Sequence, residues 1–149
     1  MKKIPQTPPA PSINAWWLLC LTWFIVLVAS LGAIFIGEIL GKMPCTLCWY
    51  QRISMFPLVI ILGIGCYKSD YKAASYALPL ALIGMTFALY HSLLYAGVIT
   101  LKIVPCASDI PCGGSGMTLY DVIALPYLSL FCFTVISITL TIFMRKNVS

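Results

Sequence analysis

The sequence predicts an all-α membrane protein, a bundle of four transmembrane helices, and three observations carry that expectation. Of its 149 residues 61% are hydrophobic and only 9% charged, with a mean hydropathy of +0.99, which suits lipid rather than water as solvent. Apolar runs of about the ~20 residues needed to cross a bilayer recur along the chain. The connections between them are too short to hold a core of their own, so one domain is expected. The formal charge of +5 does not point to nucleic acid, because the nine Lys and Arg residues stand singly or in pairs at the ends of apolar runs. They read as topology signals and contacts with membrane lipid, and no nucleic-acid partner is expected.

Residues 1–15 contain Lys2, Lys3 and four prolines, cannot be helical throughout, and are expected to form a tail. Trp16 opens an uncharged run to Gly37, with Trp16 and Trp17 where an interfacial aromatic belt would lie. The run is too long for the apolar part of a signal peptide and no small-residue cleavage site follows, so it is expected to be retained. Ile53 to Tyr67 is too short to span by itself, which places the start of the second helix near Cys45 or Cys48 and Arg52 inside it. Ala73 to Leu101 is uncharged and longer than a crossing requires, with His91 its single titratable ring nitrogen pair. A polar connection from Lys102 to Asp121, rich in Pro, Gly and Ser, precedes the last run, Val122 to Met144. The expected spans are about 16–37, 46–67, 73–101 and 122–144, in one transmembrane domain over 16–146 followed by a short end at 147–149.

Basic residues orient the bundle. Lys2, Lys3, Lys68, Lys72, Arg145 and Lys146 fall on one side, against Lys42, Arg52 and Lys102 on the other, which puts both termini in the cytosol. Two external loops then carry cysteine pairs, Cys45-Thr46-Leu47-Cys48 and Cys106 to Cys112, on the side where disulfides persist. The other three cysteines, Cys20, Cys66 and Cys132, lie alone inside apolar runs and read as small packing residues.

A C-x-x-C pair serves both dithiol redox chemistry and metal binding. At a helix start, unpaired N–H groups and the positive dipole end favour thiolate over thiol, and Arg52, four residues after Cys48, adds to that preference. Arg52 could also be a simple interfacial anchor. Counting ~1.5 Å per helical residue from Lys68 and Lys72 puts Arg52 and His91 at about 24 and 28 Å, one level beside the C-x-x-C. That coincidence favours a polar pocket there over a lone packing histidine. The second pair, Cys106 and Cys112, closes only a short loop, which makes an exchangeable bond more natural than a permanent staple. Gly113-Gly114-Ser115-Gly116 lacks the Lys and the strand-to-helix setting of a phosphate loop.

The segment Pro44-Cys45-Thr46-Leu47-Cys48-Trp49-Tyr50-Gln51-Arg52 resembles the DsbB family of disulfide-bond formation proteins, and its BdbC branch in particular. The similarity continues through Tyr90-His91-Ser92, through Cys106 to Cys112 preceded by Pro105, and through Ile123-Ala124-Leu125-Pro126-Tyr127, covering roughly residues 16–144. The resemblance implies a quinone-dependent thiol-disulfide oxidoreductase of the bacterial cytoplasmic membrane, with its active site on the periplasmic or external face. It would reoxidise a DsbA-like thioredoxin-fold partner and pass the electrons to ubiquinone or menaquinone. It also implies that Cys106 forms the mixed disulfide with the partner, that Cys112 exchanges with Cys45, and that Cys48 faces the quinone. Arg52 matches the family arginine of the quinone site, and His91 a third-span residue there. The spacing of Cys106 and Cys112 is shorter than in the founding members and closer to the BdbC type, which leaves the order of exchange open.

Three other readings compete. The four external cysteines could form a soft-metal site, although no His or Met ladder crosses the spans to conduct an ion. Static disulfides in a structural protein would leave no reduced fraction in cells. A quinone reductase resembling vitamin K epoxide reductase would carry its C-x-x-C late in the bundle, whereas here it precedes the second span.

Overall fold

The computed structural model describes residues 13–41, 44–98, 118–119 and 123–147. Helix α1 (Ile13–Ile34) runs on into a π-helical turn, Phe35–Ile39. It is followed by α2 (Thr46–Lys68), α3 (Lys72–Tyr95), a two-residue antiparallel pairing of β1 (Thr118–Leu119) with β2 (Ile123–Ala124), and α4 (Leu125–Asn147). All four helices are long and apolar enough to cross a membrane. Each packs on the next and α4 returns to α1, which closes a four-helix ring.

Lipid offers apolar side chains no advantage for burial, so close packing has to hold the helices together. Helix α3 supplies it with a stripe of small buried residues, Ala74, Ala77, Ala81, Gly84 and Ala88. At Gly84 an added Cβ would run into the Phe133 ring, so only glycine lets α4 approach this closely. Trp17, Leu21, Phe24, Val28 and Leu31 recur every three or four residues on α1 and are exposed, forming a lipid-facing stripe. Trp16 turns inward instead, its indole N–H donating to the Cys66 carbonyl at 3.0 Å.

Helix α2 ends on Ser69, which takes the left-handed conformation (φ 53°), while Asp70 N donates to Gly65 O at 2.9 Å. Asp70 Oδ1 then accepts from Lys72 N at 3.0 Å and starts α3, making a tight antiparallel turn. Helix α3 stops short of the expected 101: Ala96 N bonds back to Ser92 O, and Gly97 adopts φ 72°, where a helix ends and glycine meets no Cβ penalty. Helix α4 starts at Leu125 rather than 122, because Ile123 and Ala124 pair with β1 and Pro126, having no N–H, is suited to a first turn.

One expectation is overturned. Cys20 and Cys66 are not separate packing residues but form a disulfide between α1 and α2, with Cα atoms 5.3 Å apart. The antiparallel pairing brings the start of one helix beside the end of the other, so cysteines 46 residues apart in sequence meet. Cys132 is free and half-buried.

Candidate active site

Cys45 occupies the N-cap of α2, with extended backbone (φ −68°, ψ 167°). Its carbonyl accepts from Trp49 N and its sulfur from Cys48 N at 3.3 Å, so a thiol takes the place that Ser or Asp fills at an ordinary helix start. Cys48 lies one turn on, its Sγ 2.7 Å from Cys45 Sγ. Cys45 is buried with Leu47 in a small cluster covered by Tyr90, Leu94 and Tyr95, while Cys48 is half-buried.

His91 reaches this pair because it continues the buried stripe of α3, three residues after Ala88 and seven after Gly84. It is 1% exposed, and its Nε2 lies 3.8 Å from Cys45 Sγ. Its Nδ1 lies 3.2 Å from Gln51 Nε2. An amide nitrogen can only donate, so Nδ1 accepts and the ring proton sits on Nε2, facing the sulfur. Cys45 Sγ thus receives the Cys48 thiol, the His91 N–H and a backbone N–H. The Cys48 hydrogen bond is the largest influence; with the contributions of His91 and the Cys48 backbone it outweighs burial and lowers the Cys45 thiol from its ordinary 9.0 to about 5. These donors all act in one direction, favouring thiolate over thiol at Cys45.

Arg52 turns the other way. Its Nη2 donates to Ala33 O at 2.6 Å, and its guanidinium lies 5.6 Å from the Trp49 ring centre. Gly37 makes room for it in the π-helical turn, since a Cβ there would lie 2.8 Å from Nη2. The negative end of α1 and a planar cation are thereby held together.

Between α1, α2 and α4 lies a cavity of about 300 Å³, walled mainly by apolar side chains such as Ile36, Met55 and Leu125. Cys48, Gln51 and Arg52 are its polar features on α2, and Cys132 and Ser129 border it from α4. Leu128 lines it and is also exposed on the bundle surface, so the cavity opens toward lipid. Neither Cys45 nor His91 lines it. The structure thus brings Cys45, Cys48 and His91 together, sets Arg52 on the cavity side, and separates His91 from Arg52. Cys106 and Cys112 lie outside the described residues. Sequence reasoning gave no role to Gln51, although a buried amide at membrane depth, three residues after Cys48 on the same helix face, was a readable signal.

A buried dithiol with hydrogen-bond donors gathered on one sulfur does little for packing and suits disulfide exchange. Fold and site together define a multi-pass membrane disulfide oxidoreductase. Comparison with known proteins gives the same class. The family described as "Disulfide bond formation protein DsbB" matches residues 14–143. The chain is 52% identical over 140 residues to the "Probable disulfide formation protein" of Metapseudomonas resinovorans, covering 93% of this chain and 97% of that one. It is 40% identical over 117 residues to "Disulfide bond formation protein C" of Bacillus subtilis (strain 168), covering 78% and 85%. No solved structure matches. The chain belongs to the DsbB family.

Proposed function

We propose that this oxidoreductase reoxidises a DsbA-like thioredoxin-fold thiol oxidase and delivers the electrons to a membrane quinone, ubiquinone or menaquinone, supporting disulfide formation outside the cytosol. The observation that carries the reading is the division of labour within the C-x-x-C pair. Cys48 borders an apolar cavity open to lipid, and Cys45 is held behind it as the stabilised sulfur. We take the cytoplasmic membrane as its location, with both termini in the cytosol and the two cysteine pairs at the external face.

A volume near 300 Å³ lies at the lower end of ligand pockets, and a mainly apolar wall with a few polar groups suits a quinone ring whose isoprenoid tail stays in the bilayer. Arg52, with donors beyond the one given to Ala33, and the Gln51 amide are the groups that would hold its carbonyl oxygens. When bound, the quinone supplies an acceptor for two electrons and two protons. His91 is assigned to Cys45 rather than to the quinone, because it faces the sulfur and not the cavity.

The order of the thiol steps is the one the family resemblance implies, and leaving-group chemistry bears on its last step. The Cys106–Cys112 disulfide is reduced by the partner dithiol, which leaves as a disulfide. Cys112 thiolate then attacks Cys45 in the Cys45–Cys48 disulfide, so a Cys112–Cys45 bond forms and Cys48 is released as thiolate beside the cavity. Attack of Cys106 on Cys112 restores the loop disulfide and expels Cys45, whose low pKa makes it a good leaving group. The pair is then a dithiol with two electrons to give, and Cys48 is the sulfur placed to give them. Purified protein given a reduced thioredoxin-fold dithiol and a short-chain quinone should turn over catalytically, and substituting any one of Cys45, Cys48, Cys106 or Cys112 by Ser should stop it. Normal turnover in Cys48→Ser would sink the relay.

A further inference from the structure

We propose that the reduced site is also a Zn²⁺ or Cd²⁺ site, with Cys45 Sγ, Cys48 Sγ and His91 Nε2 as ligands, so that thiophilic divalent cations arrest the enzyme in its dithiol form. These three atoms lie within 4.8 Å of one another, and two of the three residues are buried. Tetrahedral zinc, with bonds of ~2.3 Å to sulfur and ~2.0 Å to nitrogen, sets its ligands about 3.5–3.8 Å apart. The 3.8 Å between Cys45 Sγ and His91 Nε2 already meets that span. Only Cys48 Sγ, at 2.7 Å from its partner, has to swing away by about 1 Å, and it borders the cavity, where there is room. Three protein ligands leave the fourth position for water, as in open zinc sites.

Gln51 completes the arrangement. Metal on Nε2 requires the ring proton on Nδ1, the reverse of the metal-free tautomer. An amide serves both: turned over, Gln51 presents its oxygen to Nδ1–H in place of the nitrogen that now donates to Nδ1. Binding displaces the thiol proton of Cys48 and transfers no electrons. The oxidised site cannot bind, because the sulfurs are then bonded to each other. The inference rests on the Cys45–Cys48 pair being reducible, but not on quinone coupling. It also differs from a four-cysteine metal site, since His91 replaces the Cys106–Cys112 pair.

The test is equilibrium binding of Zn²⁺ alone, and of Cd²⁺ read by its thiolate charge-transfer absorption, to the full chain in detergent after reduction and removal of reductant. One Zn²⁺ per chain should bind both in the wild-type background and with Cys106 and Cys112 replaced by Ser. Affinity should fall at least about 30-fold in His91→Leu and about 10-fold in Gln51→Leu, and should be kept or raised in Gln51→Glu, whose carboxylate accepts from Nδ1–H. The Glu variant also guards against misfolding as the cause of a loss. No binding to the reduced wild type, unchanged affinity in His91→Leu, or loss of binding on replacing Cys106 and Cys112 would each overturn the proposal. A protein that binds zinc as described yet reduces no quinone would defeat the functional reading and leave this one standing.

Discussion

Helices α1 and α2 carry cysteine pairs near both ends of their contact, and the two ends behave differently. At one end Cys20 and Cys66 join the helices among apolar side chains, with the Trp16 indole bonded to the Cys66 carbonyl. At the other, Cys45 and Cys48 stand as thiols within one turn of α2, surrounded by His91, Gln51 and a helix start. The first pair spans two helices. The second is local, and three donors converge on one sulfur. In the proposed function a pair of cysteines is not by itself a redox centre; the donors gathered on one sulfur, and an apolar cavity beside the other, are what would make it one.

The contrast is broken most forcefully by substitution at the two ends. Cys45→Ser or Cys48→Ser should lower turnover by at least about 10³-fold, because the members of a relay act as a unit. The double substitution Cys20→Ala with Cys66→Ala should leave turnover within about twofold while lowering unfolding stability by about 2–4 kcal/mol, read by thermal melts of the unreduced protein. Equal losses of turnover at both ends would abolish the distinction.

The donors to Cys45 give a pH test of intermediate size. With a thiol pKa near 5, alkylation of Cys45 in the reduced protein should stay fast as pH falls from 8 to 6 and be lost only as pH drops through about 5. Cys48→Ala removes the largest stabilising hydrogen bond and should move that transition upward, with His91→Leu moving it by less; iodoacetamide labelling of the Cys45 peptide, followed by mass spectrometry, reads both shifts. On the packing side, Gly84→Ala drives a Cβ into the Phe133 ring and should destabilise the bundle by about 1–3 kcal/mol. The smallest effect is expected from Gly37→Ala, which should displace the Arg52 guanidinium and raise the apparent KM for quinone a fewfold, in the same direction as but less than Arg52→Ala.

How much of this was legible in the sequence depended on which coordinate had to be read. Depth along a helix follows from residue count at a fixed rise, so four helices long enough to cross a membrane could be anticipated. Direction around the helix depends on which face packs inward, and there the expectations diverge from the structure. His91 follows the small-residue face of α3 into the bundle and meets Cys45, whereas Arg52 points to α1 and the cavity. The Cys20–Cys66 link was missed for the opposite reason. Depth counted from the α1–α2 connection places the two cysteines near one level, but each is an isolated residue in an apolar run and gives no local signal. No local pattern announces the π-helical turn at Phe35–Ile39, where Gly37 faces the Arg52 guanidinium.

The most direct measurement is a single-turnover reaction without any protein partner. Protein reduced at Cys45 and Cys48, with Cys106 and Cys112 replaced by Ser, is mixed anaerobically with a short-chain quinone, and quinone loss is followed by absorbance. The account predicts one quinone consumed per chain with formation of the Cys45–Cys48 disulfide, and none consumed when Cys48 is also Ser. Quinone consumption that persists without Cys48, or that tracks Cys20 and Cys66 instead, would contradict it.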